Sequence, residues 1–228
     1  MKRISSLVAL CLLCFTSSYN LHAQGTFQNL DFEQATIVST GTEPYVIASS
    51  AIPGWTAYIG NNPVDTLLYN TVTLGSAAIS IHDNNDTTFS LRPLQGNFSV
   101  ILQHSTGNPT TGTVGIGQTA RLPVNIASLF FYAASFQDLQ VTFAGNTIPL
   151  IQVGTESNYT VLSGDISPYA GQAGELLFTQ LGTSSGTLMT LDNIYFSTQA
   201  IPEPSPMALL ALSALLFLGL KYRKQISQ

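Results

Sequence analysis

From about residue 25 to residue 198 the chain alternates apolar and polar positions with the period of a strand. Leu139, Val141 and Phe143 fall on one side and Asp138, Gln140 and Thr142 on the other, the pattern of a half-buried strand. Phe98, Val100 and Leu102 alternate with Ser99, Ile101 and Gln103 in the same way. Ile79 with Ile81, Tyr159 with Val161, Leu176 with Phe178, and Ile194 with Phe196 repeat it. Leu129–Ala134 is apolar without interruption, which predicts a central strand covered on both faces. Glycines inside the strand pattern of Val114–Gln118 predict a bulge or a close backbone approach. No stretch of this region keeps a helical period for three turns. Gly, Pro and Asn punctuate it at the intervals of a sandwich, and the region reads as all-β.

The two ends break the pattern. Lys2 and Arg3 precede the apolar run Leu7–Phe15, and small and polar residues then lead to Leu21-His22-Ala23. That order is the one found in a secretory signal peptide, with cleavage expected after Ala23. At the other end, Ile201-Pro202-Glu203-Pro204-Ser205-Pro206 interrupts the chain, Met207–Leu220 follows without a charge, and Lys221, Arg223 and Lys224 come next. The span is apolar on every face, whereas a core helix of a soluble domain shows a polar side. At ~1.5 Å per residue it reaches roughly 21 Å, short of a ~30 Å hydrocarbon core. Basic side chains that snorkel, and a bilayer that thins slightly, make such a span tolerable. The basic end predicts a cytoplasmic terminus and a body on the far side of the membrane. The expected organisation is a signal peptide over 1–23, a sandwich over 24–198, a Pro-rich linker over 199–206 and an anchor with a basic tail over 207–228.

Charge narrows the partners. The body holds Arg92 and Arg121 against eleven carboxylates, a formal −9 with no lysine. Nucleic acid and anionic lipid need basic contacts, so both are excluded as partners. Divalent cations and neutral glycans suit the surface better. Cys11 and Cys14 both lie in the leader, so the mature body has no disulfide and no thiol chemistry.

Two resemblances add to this. The tail, with Pro202, Glu203 and Pro204 ahead of a short apolar span and a basic end, resembles the PEP-CTERM sorting signal. That resemblance implies recognition by an exosortase-type membrane protease-transpeptidase and processing near Pro202–Pro204. It also implies release to the surface or exopolysaccharide matrix of a Gram-negative cell. The body resembles galactose-binding-like jelly rolls, among them carbohydrate-binding modules. The match rests on Asn29-Leu30-Asp31-Phe32-Glu33, Pro53-Gly54-Trp55, Asp165-Ile166-Ser167 and Leu191-Asp192-Asn193-Ile194-Tyr195-Phe196. It implies a single jelly-roll sandwich with its first and last strands side by side. It further implies a structural calcium held by an early acid and a late Asp, here Glu33 and Asp192, with Asp31 nearby.

Other candidates weigh less. Asp83-Asn84-Asn85-Asp86 groups oxygen donors but lacks the Gly and distant Glu of an EF-hand loop, so it reads as a turn. Gly182-Thr183-Ser184-Ser185-Gly186 spells Gly-x-Ser-x-Gly, yet a strand follows it where a nucleophile elbow needs a helix, and it reads as a hairpin loop. His82 and His104 belong to no zinc-ligand pattern. Trp55 is expected in the core, and Tyr45, Tyr58, Tyr69 and Tyr169 in loops. Taken together, the residues predict an exported, non-catalytic protein of the envelope or matrix. A calcium-dependent carbohydrate-binding or adhesive module is the alternative, and a glycan hydrolase, needing two carboxylates across a cleft, comes third. If the tail anchors the protein, the intact chain fractionates with membranes and a chain truncated after Ala200 appears in the medium. Identical distribution of the two refutes the anchor.

Overall fold

The computed structural model describes residues 25–86, 92–105, 112–182 and 188–201. The leader, Pro202–Pro204, the apolar span and Lys221, Arg223 and Lys224 lie outside the described residues. Among the described residues no helix is long and apolar enough to cross a membrane.

Among the described residues fourteen strands follow one another: β1 (Tyr45–Ile47), β2 (Thr56–Ile59), β3 (Asn62–Val64), β4 (Thr66–Tyr69), β5 (Ala78–Asp83), β6 (Phe98–Gln103) and β7 (Val114–Arg121) in the first half. β8 (Ser128–Ala134), β9 (Leu139–Phe143), β10 (Asn146–Thr147), β11 (Leu150–Thr155), β12 (Thr160–Asp165), β13 (Ala173–Gln180) and β14 (Leu188–Ser197) complete the set. A single helical turn, Ala48–Ala51, and a 3₁₀ turn, Ser167–Tyr169, are the helical pieces among the described residues. The strands form an eight-stranded sheet, β1-β4-β5-β6-β14-β8-β12-β11, and a six-stranded one, β10-β9-β13-β7-β2-β3. β4 and β5 run parallel and every other neighbouring pair antiparallel. The body is a two-sheet β-sandwich.

Its core is built from the inward positions of both sheets. Val141 and Phe143 of β9, Leu176 and Phe178 of β13, Ile116 of β7, Phe131 of β8 and Val100 of β6 are all buried. Trp55 joins them as expected, its ring 5.8 Å from that of Phe32 and 6.1 Å from that of Phe178. Its Nε1 donates to the Asn29 carbonyl at 2.9 Å, which satisfies the one polar atom the ring brings inside.

Several expectations change. Asn29–Glu33 is not a first strand. Asn29 and Phe32 take positive φ (48° and 59°), and the segment turns so that Phe32 reaches the core while Asp31 and Glu33 stay near the surface. β7 carries no bulge: it pairs with β13 in unbroken register from Val114↔Gln180 to Arg121↔Ala173. Its glycines serve a close approach instead. β13 lies in the six-stranded sheet and β14 in the eight-stranded one, so the Gly182–Gly186 connection crosses between sheets and is not a hairpin; residues 183–187 themselves lie outside the described residues. β6 is buried along nearly its whole length, because loops cover its outer face where alternation predicted solvent. Strand β8 departs in the opposite sense. It is central, between β14 and β12, yet Phe130, Tyr132 and Ala134 are only half-buried on the outer face.

Phe178 packs against Phe131 edge-on at 5.1 Å as well as against Trp55. Phe178→Ala is expected to cost ~3–5 kcal/mol, read by urea unfolding followed through the fluorescence of the sole tryptophan. A loss below about 1 kcal/mol would contradict this core assignment.

Candidate functional site

The outer face of the eight-stranded sheet has two halves. On β5, β6 and β14 the outward positions are largely polar and covered, with Ser80, His82, Ser99, Gln103, Thr190 and Asp192 buried around Ile101. Ser99 donates to Asp192 Oδ2 at 2.6 Å and His82 Nδ1 donates to Asp86 Oδ2 at 2.8 Å; all four side chains are buried. Asp83, the next residue on β5, accepts from Tyr69, Asn70 and the amide of Asn85 at 2.7–2.8 Å. Asp86 N bonds back to the Asp83 carbonyl, so Asp83–Asp86 is the turn its composition predicted. Burial holds His82 below its ordinary value, against the opposing pull of Asp86, and it is neutral near pH 7. Burial also works to raise Asp83, but its donors from Asn70, Tyr69 and Asn85 outweigh it and hold the carboxyl low. Tyr69, buried and bonded to that carboxylate, is pushed up to about 12.

The two expected calcium ligands do come close to one another, although only Asp192 lies in a strand. Glu33 Oε1 accepts from the amides of Asn97 and Phe98 at 2.6 and 3.0 Å, and Oε2 accepts from Asn97 Nδ2 at 2.7 Å. Asp192 Oδ2 accepts from the Gln95 amide at 2.9 Å as well as from Ser99, and Oδ1 from the Asn193 amide at 2.6 Å. Donors converge on both carboxylates where a cation would need lone pairs. Among the described residues no three His, Cys, Asp or Glu side chains gather into a metal-sized group. The pair therefore fits calcium poorly. What it does is clamp residues 95–98 across the outer face, helped by Ser99 Oγ, which accepts from the Leu94 amide at 2.9 Å.

Beyond Asp192 the same face opens. Tyr132 stands opposite Asp192 on β8, and Val161 and Gly154 continue the row onto β12 and β11. In the next row Tyr195, Phe130 and Ser163 are neighbours. Tyr132 stacks on Tyr159 with centroids 4.1 Å apart and rings 11° from parallel. Phe130 stacks on Tyr195 at 5.0 Å and 6°. A bulge between Gln152 and Gly154 leaves Val153 41% exposed, and Tyr195 is 39% exposed. Phe130, Val153, Gly154, Val161 and Tyr195 form a shallow trough of about 380 Å³ whose rim is Gln199 and Ala200. Sequence reasoning placed these rings in strand patterns but did not offer any of them as an open aromatic face. The signal was Phe130 and Tyr132 at every second position of β8, hidden because Leu129 and Phe131 between them are apolar too. Of the tyrosines expected in loops, Tyr45, Tyr58 and Tyr69 lie in strands and Tyr169 in the 3₁₀ turn against Phe143.

No protein-family model matches the chain, and no curated protein matches it. Similar solved structures include the Stig cyclase Fisc from Fischerella sp. TAU in complex with an indole compound, at 17% identity. That match covers 76% of this chain and 96% of the cyclase, with a TM-score of 0.46. They also include the carbohydrate-binding module TmCBM61 in complex with β-1,4-galactotriose, at 13% identity, covering 77% of this chain and 99% of the module, with a TM-score of 0.44. One neighbour is an enzyme and the other a binding module, and likenesses this distant decide neither activity nor ligand.

Asp192 offers a measurable property. Burial pushes its carboxyl up to about 7, against the bonds from Ser99, Gln95 and Asn193. Protonated, it can donate to Ser99 Oγ. A raised folded value means that the native state binds more protons than the unfolded chain between its ordinary 3.8 and about 7. The contribution is therefore complete below the ordinary value and lost as pH rises through about 7. The stability advantage of wild type over Asp192→Asn is expected to be greatest near about pH 4 and to shrink towards about pH 7. Urea unfolding across that range checks it, and a difference that stays constant would contradict it.

Proposed function

We propose that this chain is an exported, non-catalytic protein of the cell envelope or extracellular matrix. Its jelly-roll body holds a neutral polysaccharide on the open half of the eight-stranded sheet. The observation that supports this reading is the partly exposed aromatic face of Phe130, Tyr132 and Tyr195 on the central pair β8–β14, with Tyr159 stacked on Tyr132. Aromatic rings present apolar faces and edges to the C–H side of a pyranose, and tyrosine adds a polar tip beside them. The ligand is neutral because the body carries −9 with no lysine, so phosphorylated or uronic polymers would meet repulsion.

Delivery follows from the ends of the chain. The leader exports the body, and Pro202, Glu203 and Pro204 with the apolar span and basic stop present it to an exosortase-type protease-transpeptidase at the membrane. Gln199 and Ala200 at the trough rim immediately precede that motif in sequence. A hydrolase fits less well. The carboxylates that come together, Glu33 with Asp192 and Asp83 with Asp86, are bonded to amides and side chains and do not face each other across a cleft.

In affinity electrophoresis of the full chain through gels containing soluble β-galactan, β-glucan or xyloglucan, wild type is expected to be retarded by at least one polymer. Tyr132→Ala with Tyr195→Ala removes two rings worth ~0.5–1.5 kcal/mol each, and should weaken that retardation roughly 5- to 140-fold. Retardation unchanged in the double variant, or absent for wild type in every gel, sinks the reading.

A further inference from the structure

The opposite face of the sandwich carries a second concavity, which neither the sequence motifs nor the aromatic face explains. It lies on the outer side of the six-stranded sheet, over β7, between the β2–β3 hairpin and β13. Its volume is about 220 Å³, and it is lined by Tyr58, Asn61, Thr113, Glu175, Leu177 and Thr179 around Gly115.

The groove exists because β7 has no side chains there. Tyr58 pairs with Gly115 on one side and Leu177 pairs with Gly117 on the other. Tyr58 and Glu175 reach diagonally across β7 from the two flanking strands and meet over it, the phenol donating to Glu175 Oε1 at 2.9 Å. A Cβ on Gly117 would stand 2.4 Å from Glu175 Oε1, and one on Gly115 would stand 2.7 Å from the Phe178 carbonyl. The first collision is with the tip of a flexible side chain and the second with backbone. Burial, then the bond to Glu175, raises the Tyr58 hydroxyl, so it stays protonated and remains the donor. This bridge fixes one carboxylate edge and one aromatic ring in the groove. The amide of Asn61 and the hydroxyls of Thr113 and Thr179 stand around them.

The combination has a chemical meaning. A half-buried ring and Leu177 supply an apolar wall, and a carboxylate, an amide and two hydroxyls supply acceptors and donors at short spacing. Polyhydroxylated rings need both. The volume falls below the ~300 Å³ at which pockets for drug-sized ligands begin, so it suits one ring rather than a chain. Glu175 and the negative body disfavour an anionic sugar. We infer that this groove is a second saccharide subsite, taking a single neutral pyranose such as a chain end or branch. With glycan sites on opposite faces, the protein bridges two polysaccharide chains. The bridging role rests on the polysaccharide reading of the aromatic face; the groove site itself does not. Two weak sites joined rigidly in one body would hold a matrix more firmly than either alone.

The test uses the full chain and four forms of it: wild type, Tyr132→Ala with Tyr195→Ala, Gly117→Ala, and Glu175→Gln. Gly117→Ala pushes the Glu175 carboxylate off Tyr58 without touching backbone. Glu175→Gln keeps an acceptor for the phenol and removes only the charge. Circular dichroism and Trp55 fluorescence establish that each form is folded. Chemical-shift titration with methyl β-galactoside, methyl β-glucoside and methyl α-mannoside reads the groove. Agglutination of beads coated with the retarding polymer reads bridging.

At least one methyl glycoside is expected to bind wild type and the double aromatic variant equally. Gly117→Ala should weaken that binding at least tenfold, and Glu175→Gln about fivefold or less, since a neutral acceptor replaces a charged one. Agglutination is expected only when both faces are intact. Glycoside binding lost in the double aromatic variant, or unchanged in Gly117→Ala, overturns the groove site. So does the absence of binding by all three glycosides. If glycoside binding persists but polymer retardation does not depend on Tyr132 and Tyr195, the groove stands and the aromatic-face reading falls. Agglutination unaffected by Gly117→Ala overturns the bridging role.

Discussion

The outer face of the larger sheet depends on two carboxylates that spend their lone pairs on backbone amides. Glu33, on a turn near the start of the body, and Asp192, in the last strand, both hold residues 95–98. Amides of a loop crossing a sheet have no ladder partners, and the two carboxylates supply acceptors for those of Gln95, Asn97 and Phe98. By accepting those amides, the two acids keep the loop over β6 and let Ser99, His82 and Asp86 sit beneath it. The cover ends at Asp192. Tyr132, its neighbour across the strand pair, is the first open residue, so the clamp sets the border of the aromatic face.

The same economy of contacts shapes the opposite sheet. There the open space comes from missing side chains rather than from a missing loop. Gly115 and Gly117 leave room over β7, and the Tyr58–Glu175 bridge occupies part of it while keeping the rest polar at one wall and apolar at the other. The core between the sheets does not take part in either surface. Trp55, Phe131 and Phe178 interlock there, and their close packing gives both faces a rigid base.

Much of this was legible in the alternation. β9 spans the residues whose pattern defined it, and Trp55 sits in the core where a lone tryptophan after Pro53-Gly54 was expected. The turn at Asp83–Asp86 followed from its short polar side chains. The misreadings share a cause. Periodicity tells which residues share a face, but not what covers that face. Leu129–Ala134 is apolar on both sides, yet one side packs in the core and the other stays open as paired aromatic rings. Phe98–Gln103 alternates like a half-exposed strand, yet a loop closes its polar side. Glu33 and Asp192 were expected as cation ligands only through the resemblance to galactose-binding-like jelly rolls; in the folded chain amide donors reach both carboxylates.

What the sequence by itself determined is the class of the body, which residues of each strand share a face, its acidic and lysine-free composition and the presence of chemically distinct ends. These are local quantities: composition, the two-residue period of a strand, and runs of apolar or charged residues. What only the tertiary structure decided is which outward positions remain open, since that depends on loops returning from far along the chain. Residues 95–98 are held by residues 33 and 192, and Tyr58 meets Glu175 across 117 positions. Contacts of that range leave no mark on either neighbourhood, because each partner alone reads as an ordinary polar residue on a strand or turn.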